Sequence, residues 1–105
     1  MRETIDSWLN QNLQFDAIFA SSDVTAISLM GALSERGISV PAQVKLVGYD
    51  DISIAAHVHP SLTTVRQPAD QAGRTLVELI FDAIQGKPRR AVILPAQLIE
   101  RDSSR

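Results

Sequence analysis

Cysteine is absent from this chain of 105 residues, which rules out disulfide staples and thiolate metal sites. A basic excess is absent too: ten Lys and Arg stand against twelve Asp and Glu, for a net charge of −2 and a pI near 5.5. That balance argues against this segment gripping nucleic acid by itself. No apolar run approaches the roughly 20 residues a membrane helix needs. Met1-Arg2-Glu3-Thr4 lacks the basic-then-apolar pattern of a secretory signal. Repeats and low-complexity stretches are missing as well. What remains is ordinary globular material, 45% hydrophobic and 21% charged. The length makes one domain or a piece of one, burying roughly 65% of its extended surface on folding.

The most informative stretch is Val44-Lys45-Leu46-Val47-Gly48-Tyr49, an apolar β-type run that stops at two carboxylates, Asp50 and Asp51. A second run over 15–20 likewise ends in Ser21-Ser22-Asp23. One helix-length segment, about 24–36, lies between them, with Asp23 as its expected N-cap and Gly37 as its left-handed stop. Strand, helix, strand at this spacing predicts a right-handed parallel βαβ unit with both polar tips at one edge of the sheet. Open α/β sheets bind ligands at that carboxyl edge.

Around this unit the pattern predicts a helix over 2–12, with Ile5, Trp8 and Leu9 on one face, and a short helix over 52–58. A short strand follows at 62–65. Pro68 opens a long helix, about 69–85, that Gly86 closes. Two further strands, near 91–94 and 97–101, are split by Pro95. The fold class is therefore α/β. On the 69–85 helix, Leu76, Val77, Leu79, Ile80, Phe81, Ala83 and Ile84 cover an arc of roughly 200°, about twice what packing on one sheet requires. Val24, Ile27, Leu29, Met30, Ala32 and Leu33 surround most of the 24–36 helix.

Asp50 is the first candidate for a ligand contact, because a carboxylate at a strand's carboxyl end can accept two hydrogen bonds from vicinal hydroxyls. The plainer alternative is that Asp50 or Asp51 caps the short helix that follows, and Asp51 is the better cap. Phe19 and Tyr49 sit in alternating strand patterns and read as core. His57 and His59 lack the third and fourth ligands of a zinc site, so no metal is expected. A phosphate-receiver reading of Asp50-Asp51 lacks its acidic cluster and lysine, since Arg66 and Gln67 follow the third strand. Lys87-Pro88-Arg89-Arg90 reads as a solvated loop. No nucleophile, base and orienter can be assembled, so neither catalysis nor a cofactor is expected.

Four segments together resemble the C-terminal part of the LacI/GalR family of transcriptional regulators. They are 15–23, 44–51, Pro60-Ser61-Leu62-Thr63-Thr64-Val65-Arg66-Gln67-Pro68 and Leu94-Pro95-Ala96-Gln97-Leu98-Ile99-Glu100-Arg101. The resemblance implies a parallel-sheet three-layer sandwich, part of a periplasmic-binding-protein-like fold: the C-terminal subdomain plus crossover elements. Residues 1–65 and 96–105 would form that subdomain, and 66–95 would belong to the N-terminal one. It further implies a small, sugar-like effector held by Asp50 and Ser22. Many family members carry an effector-contacting Asn at the Ser22 position, and a local turn bond is the competing role for the serine. Asp23 and Asp51 would cap helices or support the site from behind.

Dimerisation, by the same resemblance, would use Ala26, Ile27 and Met30 with Ile54, Ala55 and Val58. DNA would be bound only through a domain outside this chain, in the bacterial cytoplasm and with no membrane partner. A fragment of a periplasmic sugar-binding protein is the runner-up. With its own sheet mostly missing, the 69–85 helix is expected to drive dimerisation, to exchange between copies, or to repack onto the remaining sheet.

Overall fold

The computed structural model describes residues 2–105, which divide into two compact units, one running to 66 and resuming over 98–105, the other of 67–97. The first opens with helix α1 (Arg2–Asn10) and strand β1 (Ala17–Phe19). Helix α2 (Asp23–Ser34) and strand β2 (Lys45–Tyr49) follow, then a 3₁₀ turn at Ser53–Ala56 and strand β3 (Thr63–Arg66). The second unit holds helix α3 (Ala69–Ile84). Strand β4 (Gln97–Ile99) returns the chain, and a 3₁₀ turn at Asp102–Ser104 ends it.

The four strands lie in the order β1-β2-β3-β4, and β1, β2 and β3 run parallel, as a βαβ connection requires. Phe19 pairs with Val47, and Val47 with Thr63, so these side chains share one face while Leu46, Gly48 and Thr64 share the other. Against the second face lies α2. Ala26, Leu29, Met30 and Leu33 recur on it at three- and four-residue spacing and are buried, with Leu46 and Leu62 completely enclosed. α1 lies on α2 and contributes the fully buried Ile5. Trp8 meets Phe15 edge to face, ring centroids 5.6 Å apart. Arg36, just past α2, joins the two helices by bonds to Asp6 (2.6 Å) and to the Arg2 carbonyl (3.2 Å).

The other face is different. Phe19 is 64% exposed and Tyr49 half-buried, their rings touching edge on at 6.4 Å. The core role expected of Phe19 does not hold. Alternation in a strand separates two faces without saying which one is covered, and a parallel sheet needs helices on both. Near β3 the chain end does cover this face. The Ser103 hydroxyl donates to the Leu46 carbonyl (2.6 Å) and accepts from the Thr63 amide (2.8 Å), so Thr63 and Ser103 are buried.

In the second unit no residue of α3 is buried, and Leu76, Ile80, Phe81 and Ile84 are all exposed. Residues 91–94 form no strand, because the segment has Pro95 at its end and no partner ladder. The basic cluster pairs locally: Lys87 reaches Asp82 at 2.9 Å, with Arg90 beside it at 3.6 Å. The Lys87 hydrogen bond, and then the Lys87 and Arg90 charges, outweigh partial desolvation and hold the Asp82 carboxyl below its usual range. No helix among the described residues is long and apolar enough to cross a membrane.

Candidate functional site

β1 and β2 are adjacent and parallel, so Ser21-Ser22 and Asp50-Asp51 leave the sheet at the same end. The Ala20 amide still bonds the Val47 carbonyl (2.8 Å), which keeps the two tips in register to their last residues. β3 ends at this edge too, bringing Arg66. A hollow of about 280 Å³, lined by Leu9, Leu13, Phe15, Ile38 and Val44 among others, lies where β1 and β2 begin, at the opposite end.

Ser22 caps α2. Its hydroxyl accepts from the Thr25 amide (3.2 Å) and donates to the Thr25 hydroxyl (3.1 Å), with Ser22 itself extended at φ −154°. The capping role expected of Asp23 therefore belongs to its neighbour. The hydroxyl's single donor is spent on Thr25, which leaves one lone pair for anything outside. Asp23 instead turns inward and is completely buried. One oxygen accepts from the Thr64 hydroxyl at 2.5 Å and the other from the Ile52 amide at 2.9 Å. Gly48 is glycine because of this carboxylate: a Cβ there would stand 2.3 Å from Asp23 Oδ1. The Gly-Tyr-Asp-Asp sequence and the Ser-Asp turn are two halves of one fitted contact.

The turn after β2 is left-handed at two consecutive non-glycine residues, Asp50 (φ 110°) and Asp51 (φ 52°). Such conformations cost on the order of 1–3 kcal/mol each and persist only where surrounding structure over-determines them. Here three successive amides are held: Asp50 by the Val65 carbonyl (2.9 Å), Asp51 by the Thr64 hydroxyl (3.3 Å) and Ile52 by Asp23. The turn leaves Asp50 exposed at the edge and directs Asp51 inward.

Asp51 does not cap the 3₁₀ turn at Ser53, which has no side-chain cap at all. Its side chain is 7% exposed and takes two guanidinium groups: Arg66 Nε donates to Oδ2 at 2.6 Å and Arg101 Nη2 to Oδ1 at 2.8 Å. Burial works to raise its pKa, but the hydrogen bonds and charges of Arg101 and Arg66 overcome it and hold the carboxyl below the usual range. The sign follows: stability from this group is present above the unfolded carboxylate range and is lost as pH falls through the depressed value. Neither arginine had a role assigned from sequence. Arg101 lies 50 positions from Asp51, and only a sheet that returns the chain beside β3 brings them together.

The expected dimer face divides. Ala26, Met30 and Ala55 are buried inside this chain, so the outward placement expected of them is corrected: they sit at the core-facing positions of α2 and the 3₁₀ turn. Ile54 is exposed, Ile27 and Val58 are half-buried, and Val24, one turn before Ile27, is 64% exposed. Among the described residues no three His, Cys, Asp or Glu side chains gather as a metal site requires. His57 is exposed, with Nδ1 2.9 Å from its own turn's Ser53 carbonyl.

A sequence family described as a periplasmic binding protein-like domain matches residues 1–104. The transcriptional regulator MalR of Clostridium butyricum is 36% identical over 102 residues, 96% of this chain and 30% of its own length. The structure of a CelR–cellobiose complex superposes with a TM-score of 0.87 at 34% identity, over 98% of this chain and 32% of that one. A Lac repressor dimer bound to operator and an anti-inducer gives 0.88 at 29% identity, over 97% and 36%. The chain thus spans about a third of the length of these relatives.

Proposed function

Because this chain belongs to the periplasmic-binding-protein-like domain family, in its LacI/GalR regulator branch, we propose that it forms one wall of an effector cleft in a DNA-binding regulator. Residues 1–65 and 96–105 are assigned to the C-terminal subdomain of that cleft, and 66–95 to elements of the N-terminal one. The effector is a small polyhydroxylated molecule of the sugar class. Asp50 accepts from its hydroxyls, and Ser22 offers a weaker contact through its remaining lone pair. The observation that carries this reading is the parallel pairing of β1 and β2, which sends both tips out of one sheet edge. Exposure of Asp50, against the inward turn of Asp23 and Asp51, singles it out among the three aspartates of this edge.

Regulators of this kind work as two-state hinges: effector favours one arrangement of the cleft, and its differential affinity sets how far DNA affinity shifts. DNA contact belongs to a part of the protein outside this chain, and the working compartment is the cytoplasm. Two copies pair through the flank where Ile54 is exposed and Ile27 and Val58 are half-buried, with exchange of the α3 segment between copies as a second mode of association. Ile27→Asp, which places a charge on that flank while leaving the buried Ala26 and Met30 untouched, is expected to halve the mass in solution. An unchanged mass places the contact elsewhere.

Binding by one wall alone is weak, so the test is nuclear magnetic resonance with glucose, galactose and cellobiose at millimolar concentration. Shifts confined to Ser21–Asp23 and Asp50–Ile52, and abolished in Asp50→Ala, are the expected result. Micromolar affinity by calorimetry would contradict a one-wall site, and shifts clustered elsewhere would remove Asp50 from it.

A further inference from the structure

Asp51 lies beside the exposed Asp50, yet its own carboxylate is enclosed and both of its oxygens are taken by arginines. Its partners are placed with respect to the chain path. Arg66 is the last residue of the sheet unit before the chain passes into the second unit, and Arg101 follows β4 just after the return. One carboxylate therefore holds both roots of the excursion: each oxygen takes a different arginine, at 2.6 and 2.8 Å. Arg101 is anchored in turn, Nη1 to the Leu62 carbonyl (2.8 Å) and its amide to the Thr63 hydroxyl (2.8 Å). The same aspartate has a left-handed φ of 52° and follows one at 110°.

We propose that Asp51 is the positioning residue of this edge: gripped by Arg66 at the exit and Arg101 at the return, it fixes the left-handed turn that presents Asp50 and ties that turn to both crossings. The assignment of a ligand to Asp50 rests on the reading above; the clamp itself does not. Its chemistry demands an aspartate. Asparagine has one acceptor oxygen for two guanidinium groups and sets an amino group against the second. Glutamate adds a methylene in a space where the carboxylate is already enclosed. Movement of either crossing then strains the pairs that hold Asp50 in place. By reciprocity, a ligand that fixes Asp50 stabilises one arrangement of the crossings. The charged groups at the turn are Arg66 and Arg101 on Asp51 itself, Asp50 beside it, and Asp23, which bonds Ile52 and Thr64 from the α2 side.

Amide hydrogen exchange on the chain tests this without any ligand, so a failed sugar titration leaves its outcome standing. In Asp51→Asn, the amides of Asp51, Arg66, Gln67 and 98–101 are expected to exchange about tenfold or more faster, while Leu29 and Leu46 keep their protection. Arg66→Gln should release 66–67 and leave 98–101 protected. In the unaltered chain the same amides lose protection as pH drops below the usual carboxylate range, a step absent from the asparagine variant. Crossing amides as protected in Asp51→Asn as in the parent, or opening spread evenly over Leu29 and Leu46, overturns the proposal. If Asp51→Asn does not fold, Arg66→Gln decides alone: unchanged or uniform exchange refutes the clamp.

Discussion

Leu46 and Ile84 are similar in size and greasiness, and both fall on apolar repeats that a sequence reading assigns to an interior. Leu46 is fully enclosed; Ile84 is 75% exposed. The difference lies in what each unit can offer its own residues. The sheet unit sets α2 and α1 on one face of its strands, two layers that close over a shared core. The second unit has one long helix and an irregular tail, with no second layer to bury against. Periodicity states which side of an element wants cover. The cover has to come from another element, and in the second unit none is supplied by that unit itself.

That contrast yields the largest expected effect. Leu46→Ala should destabilise the chain by about 2–5 kcal/mol in urea denaturation, the usual cost of emptying an enclosed leucine site. At a dilution where the chain is monomeric, Ile84→Ala should change stability by less than about 0.5 kcal/mol, as for an exposed position without special contacts. Comparable losses at the two sites would break the comparison and mean that α3 is covered in solution. A denaturation midpoint that rises with protein concentration would then identify the cover as a second copy.

Glycine sharpens the same contrast, with opposite signs expected in the two units. Gly48→Ala drives a methyl into Asp23, whose own bonds to Thr64 and Ile52 leave it nowhere to go. A loss of about 1–3 kcal/mol is expected. Gly73→Ala lies inside α3 with nothing within 4 Å of the added carbon. It should stabilise by roughly 0.5–1 kcal/mol through helix propensity. Both are read from one pair of urea curves. A neutral Gly48→Ala would show that Asp23 can shift, and the buried carboxylate would no longer explain the glycine.

Most of the sheet unit is legible in its sequence because its signals are local. The apolar runs ending in Ser22-Asp23 and Asp50-Asp51 mark β1 and β2, and Gly37, with a φ of 71°, marks the stop after α2. Those two tips and their common edge follow from the parallel pairing. The misread parts depend on distant partners. Asp23 reads as a cap until Thr64, 41 positions away, is seen to hold it inside. Asp51 reads as a cap until Arg101 arrives on a returning strand. Phe19 reads as core because a strand's alternation is blind to which layer is present. Ala26, Met30 and Ala55 enter the expected dimer face through the family resemblance, and α2, apolar almost all round, has no face that composition alone marks as outer.

The caps of α2 and α3 carry the smallest difference between the units. α2 begins with a serine whose hydroxyl satisfies the Thr25 amide, whereas α3 begins at Pro68 with no side-chain cap. Ser22→Ala should therefore cost about 1 kcal/mol, and Ser22→Gly only a few tenths. Pro68→Ser should recover less than about 1 kcal/mol in α3, set against the loss of proline's restraint on the unfolded chain. Ser22 is also the residue proposed to touch ligand, and the two roles separate experimentally. Ser22→Thr keeps a capping hydroxyl and should hold stability within about 0.5 kcal/mol, yet its extra methyl crowds the rim beside Asp50. If that variant retains its urea midpoint and loses the sugar-induced shifts at Asp50–Ile52, the serine faces the ligand as well as its own helix. If both survive intact, Ser22 serves α2 alone and Asp50 is left as the contact on this wall.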